Sequence, residues 1–215
     1  YLDRALFQLG ELAASENDHA EAAEYFRRLV IEMPASPLYQ QAAIKMGLEL
    51  AHAGRIAEAL PTLHSMFDRL SDERQKAEVA GLLAENFRQI GENVEALRWF
   101  SVLHRLSQVP GAKQVIEEQV LELVDSLDFR QVRQAYESFH QQKITDWPMD
   151  LLVLKLGKIF YHVLDFARAR EQLEYFVYRW PQHERLAEAA ALLQKIERRQ
   201  SVNPLAVGVL LPLSG

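Results

Sequence analysis

The 215 residues carry 24 Lys and Arg against 30 Asp and Glu, a formal net charge of -6. That balance argues against a general nucleic-acid binder, which needs a basic face for phosphates, and against adhesion to an anionic membrane surface. Hydrophobic residues make up 49% and charged residues 25%, with only 9 Gly and 8 Pro, so the chain has the composition of a packed protein and not of a disordered one. Cysteine is absent, which excludes disulfides and thiolate metal sites and leaves the compartment open. No apolar run approaches the roughly 20 residues that span a bilayer.

Taken in order, the chain reads as five similar units, at about residues 3–36, 37–73, 74–110, 111–147 and 148–182. Tyr1 already reads as lying inside a helix, and the far end stops after an apolar run, so the sequence reads as a piece of a longer protein. Any signal or lipid-anchoring segment would lie upstream. Small residues recur at Gly10, Gly47, Ala84, Val120 and Gly157, with spacings of 37, 37, 36 and 37. A second series, Ala22, Ala59, Ala96, Val132 and Ala169, keeps the same register, and a bulky series follows at Phe26, Leu63, Phe100, Tyr136 and Leu173. Self-similarity of this kind marks stacked supersecondary units, none of which buries its apolar face alone.

Each unit reads as two helices. The first carries an apolar stripe around its small residue: Leu9, Gly10 and Ala13, then Met46, Gly47 and Leu50, then Leu83, Ala84 and Phe87, and later Leu156, Gly157 and Phe160. The second carries a small residue with bulky ones four and seven places on, as in Ala22, Phe26 and Leu29 or Ala169, Leu173 and Phe176. Polar turns separate the two at 15–18, 54–55, 91–93 and 164–165. Pro34, Pro110 and Pro181 are expected to close three of the units, because proline stops a helix. The small residues are expected where paired helices touch, and the bulky ones are expected to fill the gap to the next pair.

Over roughly residues 3–182 the arrangement resembles the tetratricopeptide family, in its small-residue pairs, the Phe four places on and the Pro that ends a unit. The resemblance implies an all-α fold: a right-handed superhelical array of about five helix pairs, acting as a protein-interaction scaffold and not as an enzyme. Two features depart from the family. The period is 37 where the family repeats at about 34, and Val120 and Val132 replace the small pair of the fourth unit, so its helices are expected to sit further apart.

Residues 183–200 read as one more amphipathic helix capping the last pair, with Lys195, Arg198 and Arg199 favourable at its C-terminal end. A short linker follows at 201–204. Residues 205–215 do not fit the repeat. Leu205, Val207, Val209, Leu210 and Leu211, followed by Pro212, Leu213, Ser214 and Gly215, read as a buried strand running into a loop. This tail is similar to the first strand of the type I periplasmic binding-protein fold, here as the truncated start of such a domain. A helical-repeat domain joined to such a strand resembles the penicillin-binding-protein activator lipoproteins. That resemblance implies a periplasmic protein, anchored to the outer membrane through a segment outside this chain, whose partner is a peptidoglycan synthase. Two alternatives stand beside it: the scaffold region of a periplasmic solute receptor, and a cytoplasmic repeat adaptor.

No catalytic or cofactor motif is present. A phosphate loop, a nucleophile elbow and the His-Glu-x-x-His zinc motif are all missing, so no catalytic, cofactor-binding or metal-ligating residue is assigned. The seven histidines read mostly as solvated residues near helix ends and turns. Asp125 and Asp128, like Glu117 and Glu118, read as solvated helix faces, and Trp99, Trp147 and Trp180 read as core fillers. The candidate partner-binding groove follows from first-helix geometry, one place after each small residue and three or four further on. It comprises Glu11, Ser15, Leu48, His52, Glu85, Arg88, Gln89, Leu121, Asp125, Lys158, Tyr161 and His162. None of these positions holds an Asn, so the Lys/Asn carboxylate clamp that some tetratricopeptide relatives use is missing.

Overall fold

The polar turns and small-residue series translate into helices throughout. The computed structural model describes residues 1–201, among which there are eleven α-helices and no strand. The fold is therefore all-α. The described residues form two compact units, one of Tyr1–Leu123 and one that begins at Val124. In the first lie α1 (Leu2–Ser15), α2 (His19–Glu32), α3 (Tyr39–His52), α4 (Ile56–Arg69), α5 (Glu73–Gln89), α6 (Asn93–Leu106) and most of α7 (Pro110–Ser126). The second holds the end of α7 with α8 (Phe129–Gln141), α9 (Met149–His162), α10 (Phe166–Arg179) and α11 (Leu186–Ser201). Ser201 closes α11; the rest of the expected linker and the strand-like tail at 205–215 lie outside the described residues.

Helix starts follow from side chains that accept the otherwise unpaired N–H groups of the first turn. Asp18, Asp72, Asp128 and Asp165 each accept from the backbone N–H three residues on. Asp128 and Gln131 form a reciprocal capping box. Asp128 is thus a cap in front of α8, not part of a solvated helix face. Pro110 also differs from expectation. It opens α7 instead of closing the unit before it, a position where its missing N–H costs nothing.

Helix ends repeat one backbone device. After α1, the Asp18 N–H donates to Ala13 O at 2.9 Å and the Asn17 N–H to Ala14 O at 3.1 Å. The same two bonds recur at Arg55 and Gly54 after α3, at Glu92 and Gly91 after α5, and at Asp165 and Leu164 after α9. This is the Schellman closure, which needs one residue in the left-handed region. Asn17, Gly54, Gly91 and Leu164 occupy it, with φ of 62°, 74°, 78° and 65°. Glycine does so without cost, whereas a leucine is strained there by about 1–2 kcal/mol. Leu164 is 64% exposed and loses little packing if removed. Leu164→Gly is therefore expected to raise stability by about 0.5–1 kcal/mol, after discounting the extra freedom glycine gives the unfolded chain. A melting midpoint at or below wild type would contradict this.

In the first unit α1 packs on α2, α2 on α3, α3 on α4, α4 on α5 and α5 on α6. In the second, α8 packs on α9, α9 on α10, and α11 on α10 and α9. The cores of the second helices are the expected series: Ala22, Phe26 and Leu29, Ala59, Leu63 and Met66, and Ala169, Leu173 and Phe176 are all at most 2% exposed. The bulky residue also has a task within its own pair. A Cβ placed on Gly10 would meet the Phe26 ring at 2.7 Å, one on Gly47 the Leu63 side chain at 2.5 Å, and one on Gly157 the Leu173 side chain at 2.8 Å. The bulky group of the second helix thus seats in the hollow left by the glycine of its own partner helix.

Two further expectations shift, one of burial and one of a helix boundary. Leu9 is 41% exposed, whereas Met46, Leu83 and Leu156 at the equivalent place are buried. Those three sit on helices packed against a preceding helix, and α1 has none before it among the described residues. The last helix starts at Leu186 and not at His183, because the His183 N–H donates to Trp180 O and the Leu186 N–H to His183 O, forming a turn. Ser36 stands in the same turn after α2. In both, the middle side chain reaches an aspartate near the start of the first helix: Ser36 Oγ donates to Asp3 Oδ2 at 2.8 Å, and His183 Nε2 lies 3.2 Å from Asp150 Oδ2. The Ser36 hydroxyl and then the Arg4 N–H hold the Asp3 carboxyl down to about 2. Burial pushes the Asp150 carboxyl up, against the pull of the Leu151 N–H and His183.

Candidate functional site

In the first unit, the expected groove residues fall on α1, α3, α5 and α7. Glu11 is exposed on α1 and pairs with Lys45 of α3 at 3.2 Å. Ser15 turns back, its hydroxyl donating to Leu12 O at 2.7 Å, and Leu48 and Leu121 are half-buried. Glu85 and Arg88 lie one turn apart on α5 and bond each other at 2.7 Å, with Gln89 exposed beside them. His52 ends α3 and turns its ring edge-on to His19, with centroids 4.8 Å apart.

In the second unit, Lys155 Nζ donates to the Asp125 backbone carbonyl at 2.7 Å and lies 3.8 Å from its carboxylate. Lys158 pairs with Glu188 of α11 at 2.6 Å. Tyr161 lies beneath the Arg199 guanidinium and edge-on to Phe166, and His162 is exposed beside it. Glu11, Asp125 and Lys158 therefore tie one first helix to another, across α1–α3, α7–α9 and α9–α11. Such partly exposed pairs contribute little stability, about 0–1 kcal/mol each. The Glu85–Arg88–Gln89 patch is the recognisable feature of the first unit's exposed positions, and the Tyr161–His162 patch that of the second's.

Two features escaped the sequence reading. The first comprises depressions lined largely by the second helices. One, of about 450 Å³, is bordered by Arg27, Ile31, Met46, Leu50, Glu58 and Pro61. Another, of about 300 Å³, is bordered by Tyr136, His140, Met149, Glu171, Gln172 and Tyr175. Beside the first, hydrogen bonds from Arg55 and then Arg27 hold the Glu58 carboxyl down to about 2. In the second, Gln172 Oε1 is buried without a hydrogen-bond partner. A periodic reading assigns such positions to polar faces and gives no sign of a concavity.

The second is a cluster of His19, Glu49 and His52, in which one potential ligand atom of each residue lies within 4.8 Å of the others. The Glu-x-x-His spacing on α3 was visible in the sequence. The third member is 30 residues away from Glu49, and only the packing of α2 on α3 brings it in.

Residues 4–36 match the family model of the tetratricopeptide repeat. Among solved structures, the chain is similar to a tetratricopeptide repeat protein from Parabacteroides merdae ATCC 43184. That match has 15% identity and a TM-score of 0.51, covering 93% of this chain and 75% of the other. It is also similar to nearly identical TPR-like repeats from Podosopora anserina, at 13% identity and a TM-score of 0.49 over 94% of this chain and 99% of the other. No curated protein matches the sequence. At such identities the likeness is one of fold. The repeat match covers residues 4–36, and over the rest of the described chain the likeness is to the all-α helical-repeat architecture. Among the described residues, no helix is long and apolar enough to cross a membrane.

Proposed function

We propose that this chain is the docking and spacer domain of a periplasmic, outer-membrane-anchored lipoprotein that positions a peptidoglycan synthase. The observation that carries this reading is the order of parts along the chain: a tetratricopeptide-type array followed directly by the apolar Leu205–Leu211 run and the 212–215 turn sequence. The net charge of -6 fits a protein that binds another protein and neither nucleic acid nor an anionic bilayer. The α5 patch of Glu85, Arg88 and Gln89 supplies a compact mixed-charge contact, which favours specificity over bulk affinity.

The test exchanges the two charges, Glu85→Arg with Arg88→Glu, in the full-length protein. The i, i+3 ion pair persists in inverted order, so the helical circular dichroism should be unchanged. Crosslinked capture of the synthase in native cells is expected to fall by about tenfold or more, because like charges would now face each other across the contact. Capture at the wild-type level would remove the α5 patch from the interface. Recovery of a different partner class would replace the synthase reading.

A further inference from the structure

We propose that His19, Glu49 and His52 form a binding site for a divalent transition-metal ion of the zinc type, clipping α2 to α3. Glu49 and His52 stand one turn apart on α3 and so share a helix face. His19 is the first residue of α2, placed there by the left-handed Asn17 and the Asp18 cap. Glu49 Oε2 lies 2.7 Å from His19 Nδ1 and 3.8 Å from His52 Nδ1. Metal–ligand distances of about 2.0–2.1 Å in a tetrahedral shell put neighbouring ligand atoms about 3.3 Å apart. The two observed separations bracket that spacing, and all three ligand atoms lie within 4.8 Å of one another.

The burial of Glu49 points the same way. It is only 6% exposed, and among the described residues its carboxylate faces the two imidazoles, with no Lys or Arg paired to it. A buried carboxylate is costly unless a cation meets it, and imidazoles and a carboxylate together form the His₂Glu donor set that zinc accepts. Three protein ligands leave a coordination position for water.

The repeat itself does not require this cluster. One period on, the three places hold Ile56, Asn86 and Gln89, and Asn86 donates to its own helix at Leu82 O. Where α10 meets α11 the same places hold Phe166, Ile196 and Arg199, a ring under a guanidinium. Packing of a second helix on the next first helix is thus achieved elsewhere with apolar and cation–π contacts. The ionisable trio is particular to α2 and α3.

Calorimetric titration of the whole chain with Zn²⁺ is expected to show one site, and Co²⁺ is expected to give the visible absorption of a low-coordinate complex at the same stoichiometry. His19→Ala, Glu49→Gln and His52→Ala should each weaken binding by more than about tenfold. Zn²⁺ should raise the melting midpoint of the wild type and not that of the variants. His52 has a half-exposed side chain, so its alanine variant keeps the fold and isolates the ligand effect. No binding at millimolar Zn²⁺, several weak sites, or one site unaffected by the three substitutions would each overturn the proposal. None of these results bears on the synthase-docking reading, which concerns α5.

Discussion

Phe26→Ala is expected to cost about 3–5 kcal/mol, a larger loss than a change at an exposed position brings. The ring is fully buried on α2, it fills the hollow over Gly10, and it meets Phe7 edge-on with centroids 5.4 Å apart. Because α2 is held by α1 on one side and α3 on the other, the vacated space has little room to collapse, and the cavity part of the cost persists. Placing Gly10→Ala beside it should return part of the loss, since the added methyl enters the emptied hollow where alone it would strike the ring. Urea melts followed by circular dichroism measure both. A loss below about 1 kcal/mol for Phe26→Ala would mean that the α1–α2 contact is not arranged as described.

The same physics run in reverse gives the second large effect. Gly47→Ala improves intrinsic helix propensity by about 1 kcal/mol. It also places a methyl 2.5 Å from Leu63 Cδ2 and 2.7 Å from Cγ, and Leu63 is fully buried. Overpacking of that kind costs about 1–3 kcal/mol, so the single change should be destabilising despite the better helix former. Leu63→Ala alone should cost about 2–5 kcal/mol. Combined, the two should cost less than their sum by about 1–3 kcal/mol, because the clash disappears with the leucine. Additivity within about 0.5 kcal/mol would show that the two residues do not touch.

Both predictions rest on positions that spacing alone picked out. Gly10, Gly47 and Gly157 stand at one phase of the period, and Phe26, Leu63 and Leu173 at another. Two helices of similar length joined by a fixed turn bring the same phases together in every repeat, so the pairs were legible once the period was. Their direction was less so. The bulky side chains seat on their own partner helix, and whether a side chain fills a hollow beside it or one further along depends on helix rotation, which period does not encode.

Turns show the same division. The polar stretches at 15–18, 54–55 and 91–93 announced where helices end, and Gly54 and Gly91 are the natural occupants of a left-handed position. Leu164 occupies the same position without any such propensity. The Schellman bonds that hold α9 require the conformation there, and tertiary demand overrides residue preference. Leu9 is the complementary case: its pattern is that of a core residue, and its exposure reflects what lies next to α1 and not what Leu9 is.

Helix content, repeat length, the glycine hollows and the lack of a catalytic motif follow from residues close together in the chain, whose interactions are governed by a period of 3.6 within helices and 37 between units. The Glu11–Lys45 and Lys158–Glu188 ties, the depressions bordered by second helices and the meeting of His19 with Glu49 and His52 join residues some 30 or more apart. Those meetings depend on how far each helix is turned about its axis when it packs, a rotation set by the summed fit of many side chains and by no local run of residues.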